Sequence, residues 1–405
     1  MNTYSAPSSA TKRFALHTEE FAADPHRAYR QMRETYGAIA PVELSPGVPA
    51  TLIIGHALAV EILHDPERFP ADPRVWQQGV DPGCPILPMI GYRANALRSA
   101  GREHARYRAS NKDALDQVSL HQLGATVARI ARQAINRFAH TGEVDLLAAF
   151  VKPVVLDSIS AEMGAPPELA MPIGQSMAKV FEGIDAAAAN DLLMRSLNAL
   201  IELKRVRPGQ DITTRLLNHH ARLTSEELAE QCVTLFGAGY EPLKNLIANT
   251  QLRMLTDQQF GGTVASGTLT VREAMDEALF TDPPMANYCL SYPPAPVNIN
   301  GYVLSAHEPV VISMAAANND PALGDPKLRL GNRAHLAFSA GPHACPAQDA
   351  SQVIARTALD ELIDALTDLE LAVPADAIRW RPGPFHRALH SLPVRFTPIA
   401  PLPEH

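Results

Sequence analysis

Cys345 stands in the run Phe338-Ser339-Ala340-Gly341-Pro342-His343-Ala344-Cys345-Pro346-Ala347-Gln348, a loop that leads into Ala350, Ile354, Ala358, Leu362 and Leu366 at helical spacing. The spacing predicts a helix. A sulfur just ahead of a helix N-terminus meets the positive end of the macrodipole and free backbone N–H groups, which favours the thiolate. A single thiolate so placed reads as a haem ligand, because donation from sulfur to iron is what such an axial ligand provides. Cys84, Cys232 and Cys289 lie at irregular positions and read as small buried hydrophobes, with neither a disulfide framework nor a zinc pattern among them.

A second group of chemically capable residues lies in Glu103-His104-Ala105-Arg106-Tyr107-Arg108. On a helix His104 and Arg108 fall one turn apart on one face, so both can reach an anion beside it. A third group belongs to a long helix. Thr224 and Glu227 form a capping box, and Leu228, Cys232, Leu235, Phe236, Gly239, Leu243, Leu246 and Ile247 trace one apolar stripe. Within it lies Ala238-Gly239-Tyr240-Glu241-Pro242. Proline has no N–H, so the bond to the carbonyl of Ala238 cannot form, and the ring is expected to open the helix there.

These residues need a large scaffold to bring them together. The chain has 405 residues, and no Gly/Ser linker, charge block or repeat marks a place to divide it, so one domain spanning 1–405 is expected. Residues 1–20 are polar and lack the apolar core of a signal peptide or anchor, and no later stretch is apolar enough to span a bilayer. Together with the cysteine usage this points to a cytoplasmic protein with no membrane contact. The net charge of −8 argues against a nucleic-acid partner. Most of the first 280 residues read as helices, with one opening at Pro25, a strand over 50–54, and helices over 57–63, 102–118, 122–139, 143–163 and 224–255. From Asp282 to Pro309 the prolines exclude long helices and suggest extended strands, with 310–313 and 392–396 as strands of the same minor sheet. The fold class is therefore mainly α with a small β portion.

The Phe-x-x-Gly-x-His-x-Cys spacing of Phe338, Gly341, His343 and Cys345 resembles the signature loop of the cytochrome P450 superfamily, and the resemblance runs through almost the whole chain. It implies the P450-like single-domain fold and b-type haem (haem b, iron protoporphyrin IX) held by Cys345, with His104, Arg108 and His343 toward the propionates. Ala238, Gly239 and Glu241 are similar to the family's oxygen-handling segment, with Pro242 where that segment has Thr. Three further departures stand out. Phe280 replaces the Arg of the Glu-x-x-Arg helix, so Glu277 needs another partner, for which Arg329 is similarly placed. No Lys or Arg occurs between Arg272 and Lys327, where the family often supplies a propionate-binding Arg. Ala347 replaces the usual Gly after the Cys.

The resemblance is closest to soluble actinomycete members without the Glu-x-x-Arg arginine. It implies a haem-thiolate monooxygenase of natural-product biosynthesis that oxidises a small hydrophobic molecule with dioxygen and electrons from a ferredoxin and ferredoxin reductase. Two alternatives stay open: an oxidase that couples aromatic substrates, such as tryptophan-containing cyclodipeptides, without inserting oxygen, and a non-catalytic haem- or ligand-binding protein. Glu241, an ordered water or the substrate would supply protons in place of the missing hydroxyl. Trp76, Tyr240 and Tyr288 are candidates for the pocket wall.

Overall fold

Side-chain caps mark where several helices start. The computed structural model describes residues 13–182, 184–257, 270–325 and 332–403. After the short strand β1 (Phe14–Ala15) and helix α1 (Glu19–Ala23), the Asp24 carboxylate accepts the N–H of Arg27 at 2.9 Å and Pro25 opens α2 (Pro25–Tyr36). Strands β2 (Ile39–Ser45) and β3 (Val48–Ile53) follow, then α3 (His56–Leu63), α4 (Leu87–Ile90), α5 (Gly101–Leu115) and α6 (Leu120–Phe138). The predicted helix over 143–163 is instead strand β4 (Glu143–Asp145), a wide π-type turn at Leu147–Val151, and α7 (Lys152–Met163). Among the helices that the sequence reading leaves unplaced are α8 (Pro167–Glu182), α9 (Ala186–Val206) and α10 (Ile212–Leu217). Pro172 lies inside α8, which weakens its helical signal.

The long helix α11 (Ser225–Thr256) begins at the expected capping box. Thr224 Oγ1 accepts the Glu227 N–H at 3.2 Å, and Glu227 Oε2 accepts the Thr224 N–H at 2.8 Å. The same Glu227 carboxylate receives both guanidinium nitrogens of Arg106 and the hydroxyl of Tyr107, which binds the start of α11 to α5. Helix α11 continues through Pro242 to Thr256, so the proline does not end it.

The Pro-rich stretch behaves as expected. After α12 (Val271–Thr281) come β5 (Asn287–Ser291) and a hairpin of β6 (Val297–Ile299) and β7 (Tyr302–Leu304), turned at Asn300 and Gly301 with φ of 51° and 89°. Strand β8 (Val310–Ser313), helix α13 (Met314–Asn318), helix α14 (Gln348–Ala365), β9 (Glu370–Leu371) and β10 (Pro393–Arg395) complete the named elements. The five-stranded sheet has the order β1-β2-β3-β8-β5, in which Thr51 pairs with Val310 in parallel. One expectation fails here: β10 does not join β8. It pairs with β4 and β9 in a separate three-stranded sheet, because residues 366–392 carry the chain across to the helical side.

The described hydrophobic interior forms two clusters. The larger packs α6, α7, α9, α11 and α14 around residues such as Phe150, Leu197 and Phe236, and the smaller packs the five-stranded sheet against α2, α3 and α13. The loop carrying Cys345 lies where they meet, with Phe338 against the first and Ala340 against the second. Phe280, in place of the family's Arg, is buried with its ring edge-on to His335 at 5.3 Å. Glu277 takes Arg253 of α11 as a partner at 3.2 Å. Arg329 lies outside the described residues.

Candidate active site

The loop before α14 is built by two tight turns. Leu336–Phe338 and Gly341–His343 are single 3-10 turns, and the Cys345 N–H closes back on the Phe338 carbonyl at 2.8 Å. Gly341 opens the second turn at φ 65°, with the Leu63 carbonyl oxygen only 2.1 Å from where a Cβ would be. No side chain fits. This explains the glycine physically: it lets the loop pass directly over the end of α3.

Cys345 lines a cavity of about 310 Å³, together with Ala238, Gly239 and Pro242 from α11, Phe338 and His343 from its own loop, and Arg108 from α5. Ala238 belongs to the middle of a 32-residue helix yet is solvent-accessible through this cavity, although Phe236, Gly237 and Tyr240 around it are buried. Its carbonyl cannot receive the usual helical N–H, because residue 242 is proline. The cavity therefore has a thiol on one element and, on another, a helical turn from which proline removes the usual i+4 hydrogen bond.

Burial pushes the Cys345 thiol up, outweighing an N–H bond from Ala347 and the charge of Arg108, both of which pull it down. Ahead of α14 the Ala347 N–H favours the thiolate, while burial opposes it. Coordination to a metal would fix the sulfur as thiolate, since a ligated thiol gives up its proton.

The predicted basic cluster assembles. His104 is buried with its ring 4.0 Å from that of His343, and its Nε2 has no hydrogen-bond partner. Desolvation lowers His104, with Arg108 adding to the effect, and it lowers Arg108 as well. His343 is pushed down to about 3 by burial and then by the neighbouring His104, Arg98 and Arg108. Arg108 with the paired rings of His104 and His343, one ring nitrogen of which is unpaired, is a donor set that an anionic group completes. Haem carries two carboxylates and an iron that accepts a thiolate, so these residues fit it.

Glu241 is placed differently from the expectation. It is fully buried and absent from the lining of the Cys345 cavity, with Oε2 2.5 Å from Lys244 Nζ and Oε1 hydrogen-bonded to Arg381. Burial raises its carboxyl, but Lys244 and Arg381 outweigh that and hold it down to about 2. Arg381 also reaches Glu182 at 2.8 Å, and Tyr240, Lys244 and Arg381 border a separate cavity. Of the three aromatic candidates, Tyr288 lines the Cys345 cavity, Tyr240 faces the other one, and Trp76 lies against Tyr292 with ring centroids 5.5 Å apart.

The sequence places the loop over 76–97 in the pocket wall, and residues within 88–97 do line the cavity, but it names neither the contacts that hold that loop nor Arg98 beyond it. Arg93 binds Glu230 of α11 at 3.1 and 3.2 Å and Asn190 of α9 at 2.6 Å, while Gln231 takes the Ala96 N–H and gives its amide to the Ala94 carbonyl. Arg98 also lines the cavity and is buried. The available signal was a lone cation within Ala96-Leu97-Arg98-Ser99-Ala100.

No protein-family model matches the chain. It is 29% identical over 391 residues to the cytochrome P450 monooxygenase PikC of Streptomyces venezuelae, covering 93% of this chain and 92% of that one. It is 26% identical to 2-hydroxy-5-methyl-1-naphthoate 7-hydroxylase of Streptomyces carzinostaticus, over 92% and 95% of the two chains. Among solved structures, CYP154C4 from Streptomyces sp. W2061 superposes with a TM-score of 0.87 at 25% identity, covering 95% of this chain and 98% of that chain. The tirandamycin C-bound P450 monooxygenase TamI gives 0.83 at 26%, covering 95% and 100%. Among the described residues no helix is long and apolar enough to cross a membrane.

Proposed function

This chain belongs to the cytochrome P450 superfamily and is a haem-dependent oxidising enzyme, and from that premise we propose that Cys345 ligates the iron of b-type haem while His104, Arg108 and His343 hold its propionates. The observation that carries this reading is the single cavity shared by Cys345, Arg108, His343 and the Ala238–Gly239 stretch of α11. Phe338 and Gly341 shape the loop that presents the sulfur. Haem bound there supplies dioxygen activation with electrons delivered from outside, which on kinship with bacterial P450 monooxygenases we assign to a ferredoxin and its reductase. The chain's own residues orient the substrate, exclude water and manage protons.

The substrate is a small hydrophobic molecule of secondary metabolism. Leu97, Val233, Leu243, Leu246, Met285 and Met314 line the cavity, a wall that rewards apolar contact and offers few directing groups. Of the arginines that line it, Arg93 is committed to Glu230 and ties the 88–98 loop to α11.

Pro242 favours a second reading beside oxygen insertion. With no hydroxyl at that position, oxidative C–C or C–N coupling of aromatic substrates, in which the substrate's own N–H or O–H is oxidised, places less demand on proton delivery. Product mass decides between them: insertion adds one oxygen, whereas coupling joins two partners with loss of two hydrogens. A substrate screen read by displacement of the ferric low-spin absorbance, followed by mass spectrometry of products, tests both.

The propionate assignment has its own test. His104→Ala/Arg108→Ala removes two charge-assisted contacts worth roughly 1.5–3 kcal/mol each. The purified double variant is expected to lose most of its haem on gel filtration under conditions where the parent keeps it. Full occupancy in the variant would show that α5 does not hold the cofactor.

A further inference from the structure

We propose that Arg98 is a further haem-propionate-binding residue, supplied by the loop between α4 and α5 in place of the arginine that the segment after α12 lacks. The proposal rests on the haem reading above. At the end of that segment stand Tyr288 and Cys289, neither of them cationic, and both line the Cys345 cavity.

Arg98 occupies the space beside them. Its guanidinium carbon lies 4.9 Å from the Tyr288 ring centroid, and the residue is only 2% exposed. The Tyr288 hydroxyl donates to the Met89 carbonyl at 3.3 Å, and the same carbonyl receives Arg98 Nε at 3.3 Å and Nη2 at 3.0 Å. Nη1 has a long bond of 3.4 Å to the Leu97 carbonyl. Asn95 holds the backbone in place, its side-chain oxygen accepting the Arg98 N–H at 3.1 Å.

All of these acceptors are neutral. Among the described residues Arg98 makes no ion pair, in contrast to Arg93, Arg106 and Arg381, each of which meets a carboxylate. The acid on the cavity wall, Glu162 of α7, is under the influence of Arg215. A guanidinium has five donors, and the carbonyls here leave some of them over. Burying such a cation is costly unless an anion meets it. Arg98 shares its cavity with Arg108 and His343, so an anionic ligand that reaches those two residues enters the space that Arg98 also lines. The charge that the sequence shows missing from one element is supplied by another.

The test measures haem transfer to excess apomyoglobin from the parent, Arg98→Leu and Arg98→Lys. Each is loaded either with haem or with haem dimethyl ester, whose propionates carry no charge. With haem, Arg98→Leu is expected to release its cofactor at least about tenfold faster than the parent, and Arg98→Lys to fall between them. With the ester the three rates should converge.

A parental release rate in Arg98→Leu overturns the proposal. So does an increase that persists unchanged with the ester, which would mean that Arg98 only tethers the loop through Met89. If Arg98→Leu does not fold, the comparison of Arg98→Lys with parent across the two cofactors decides in the same way. Loss of this proposal leaves the thiolate absorbance of the holoenzyme intact, whereas failure of the haem reading would remove that absorbance from the parent itself.

Discussion

Cys345→Ala is expected to abolish the red-shifted absorbance that the reduced, carbon monoxide-bound holoenzyme owes to thiolate ligation, and with it reductant-driven turnover. The sulfur is the only thiol in the cavity carried on the 336–345 loop. Cys289, the other thiol lining the cavity, lies on β5, and its thiol is pushed up by burial before Ser339 and Arg98 pull it down. No second thiol on the 336–345 loop replaces the lost ligand. The Cys345 thiol is itself held up by desolvation, so the thiolate depends on the metal as much as the metal depends on it. Cys345→Ala should therefore retain haem weakly or in a form with nitrogen or water ligation. A variant that keeps the thiolate band would show that a different residue binds the iron.

The second large effect is expected at Glu241. Glu241→Gln leaves Lys244 and Arg381 as buried cations facing a neutral amide, and breaking one side of a buried ion cluster typically costs about 3–5 kcal/mol. Chemical denaturation near neutral pH should show a loss of this order. The pH dependence carries a definite sign. Because Glu241 is held down to about 2 in the folded protein, its contribution is fully present above the ordinary carboxylate range near 4.5 and is lost as pH falls toward 2. The stability gap between parent and Glu241→Gln should accordingly narrow as pH falls through that window. A gap that stays constant down to pH 2 would mean that the carboxylate is not ionised as its partners require.

The same variant separates structure from proton handling. If Glu241 relays protons despite its ion pairs, Glu241→Gln slows turnover driven by reductant and dioxygen more than turnover driven by hydrogen peroxide, which brings its own protons. Pro242→Thr restores both a backbone N–H and a hydroxyl beside the cavity, and is expected to raise the fraction of electrons that end in product. Equal turnover in parent, Glu241→Gln and Pro242→Thr with either oxidant would place proton delivery on the substrate or on solvent.

The departures at residues 242 and 280 and the missing cation between Arg272 and Lys327 differ in what replaces them. Phe280 sits where the family has an arginine, and its ring packs on His335 while Glu277 turns to Arg253 of the neighbouring helix. Packing and a relocated ion pair thus stand in for one internal network. Arg98 relocates a cation in the same manner. Only at Pro242 is no hydroxyl restored by the adjoining residues, which is why the reaction type is most open to test there.

Much of the site was legible because it is local. The Phe338-to-Cys345 loop, the His104/Arg108 pair and the Thr224/Glu227 cap each lie within a few residues, so spacing alone placed them on a loop, a helix face and a helix start. Gly341 was visible as a letter, but its reason, the Leu63 carbonyl 2.1 Å from a Cβ, comes from a segment nearly 280 residues earlier. The sequence by itself determined the spacing of the thiol loop, the helical class and the absence of a cation between Arg272 and Lys327. Tertiary structure alone decided that β10 leaves the sheet of β8, that Glu241 faces Lys244 and Arg381 rather than the cavity, and that Arg98 comes to lie over Tyr288. These depend on which distant groups share a low-dielectric interior, where a charge is settled by the partners that packing brings within reach, and no local pattern records those partners.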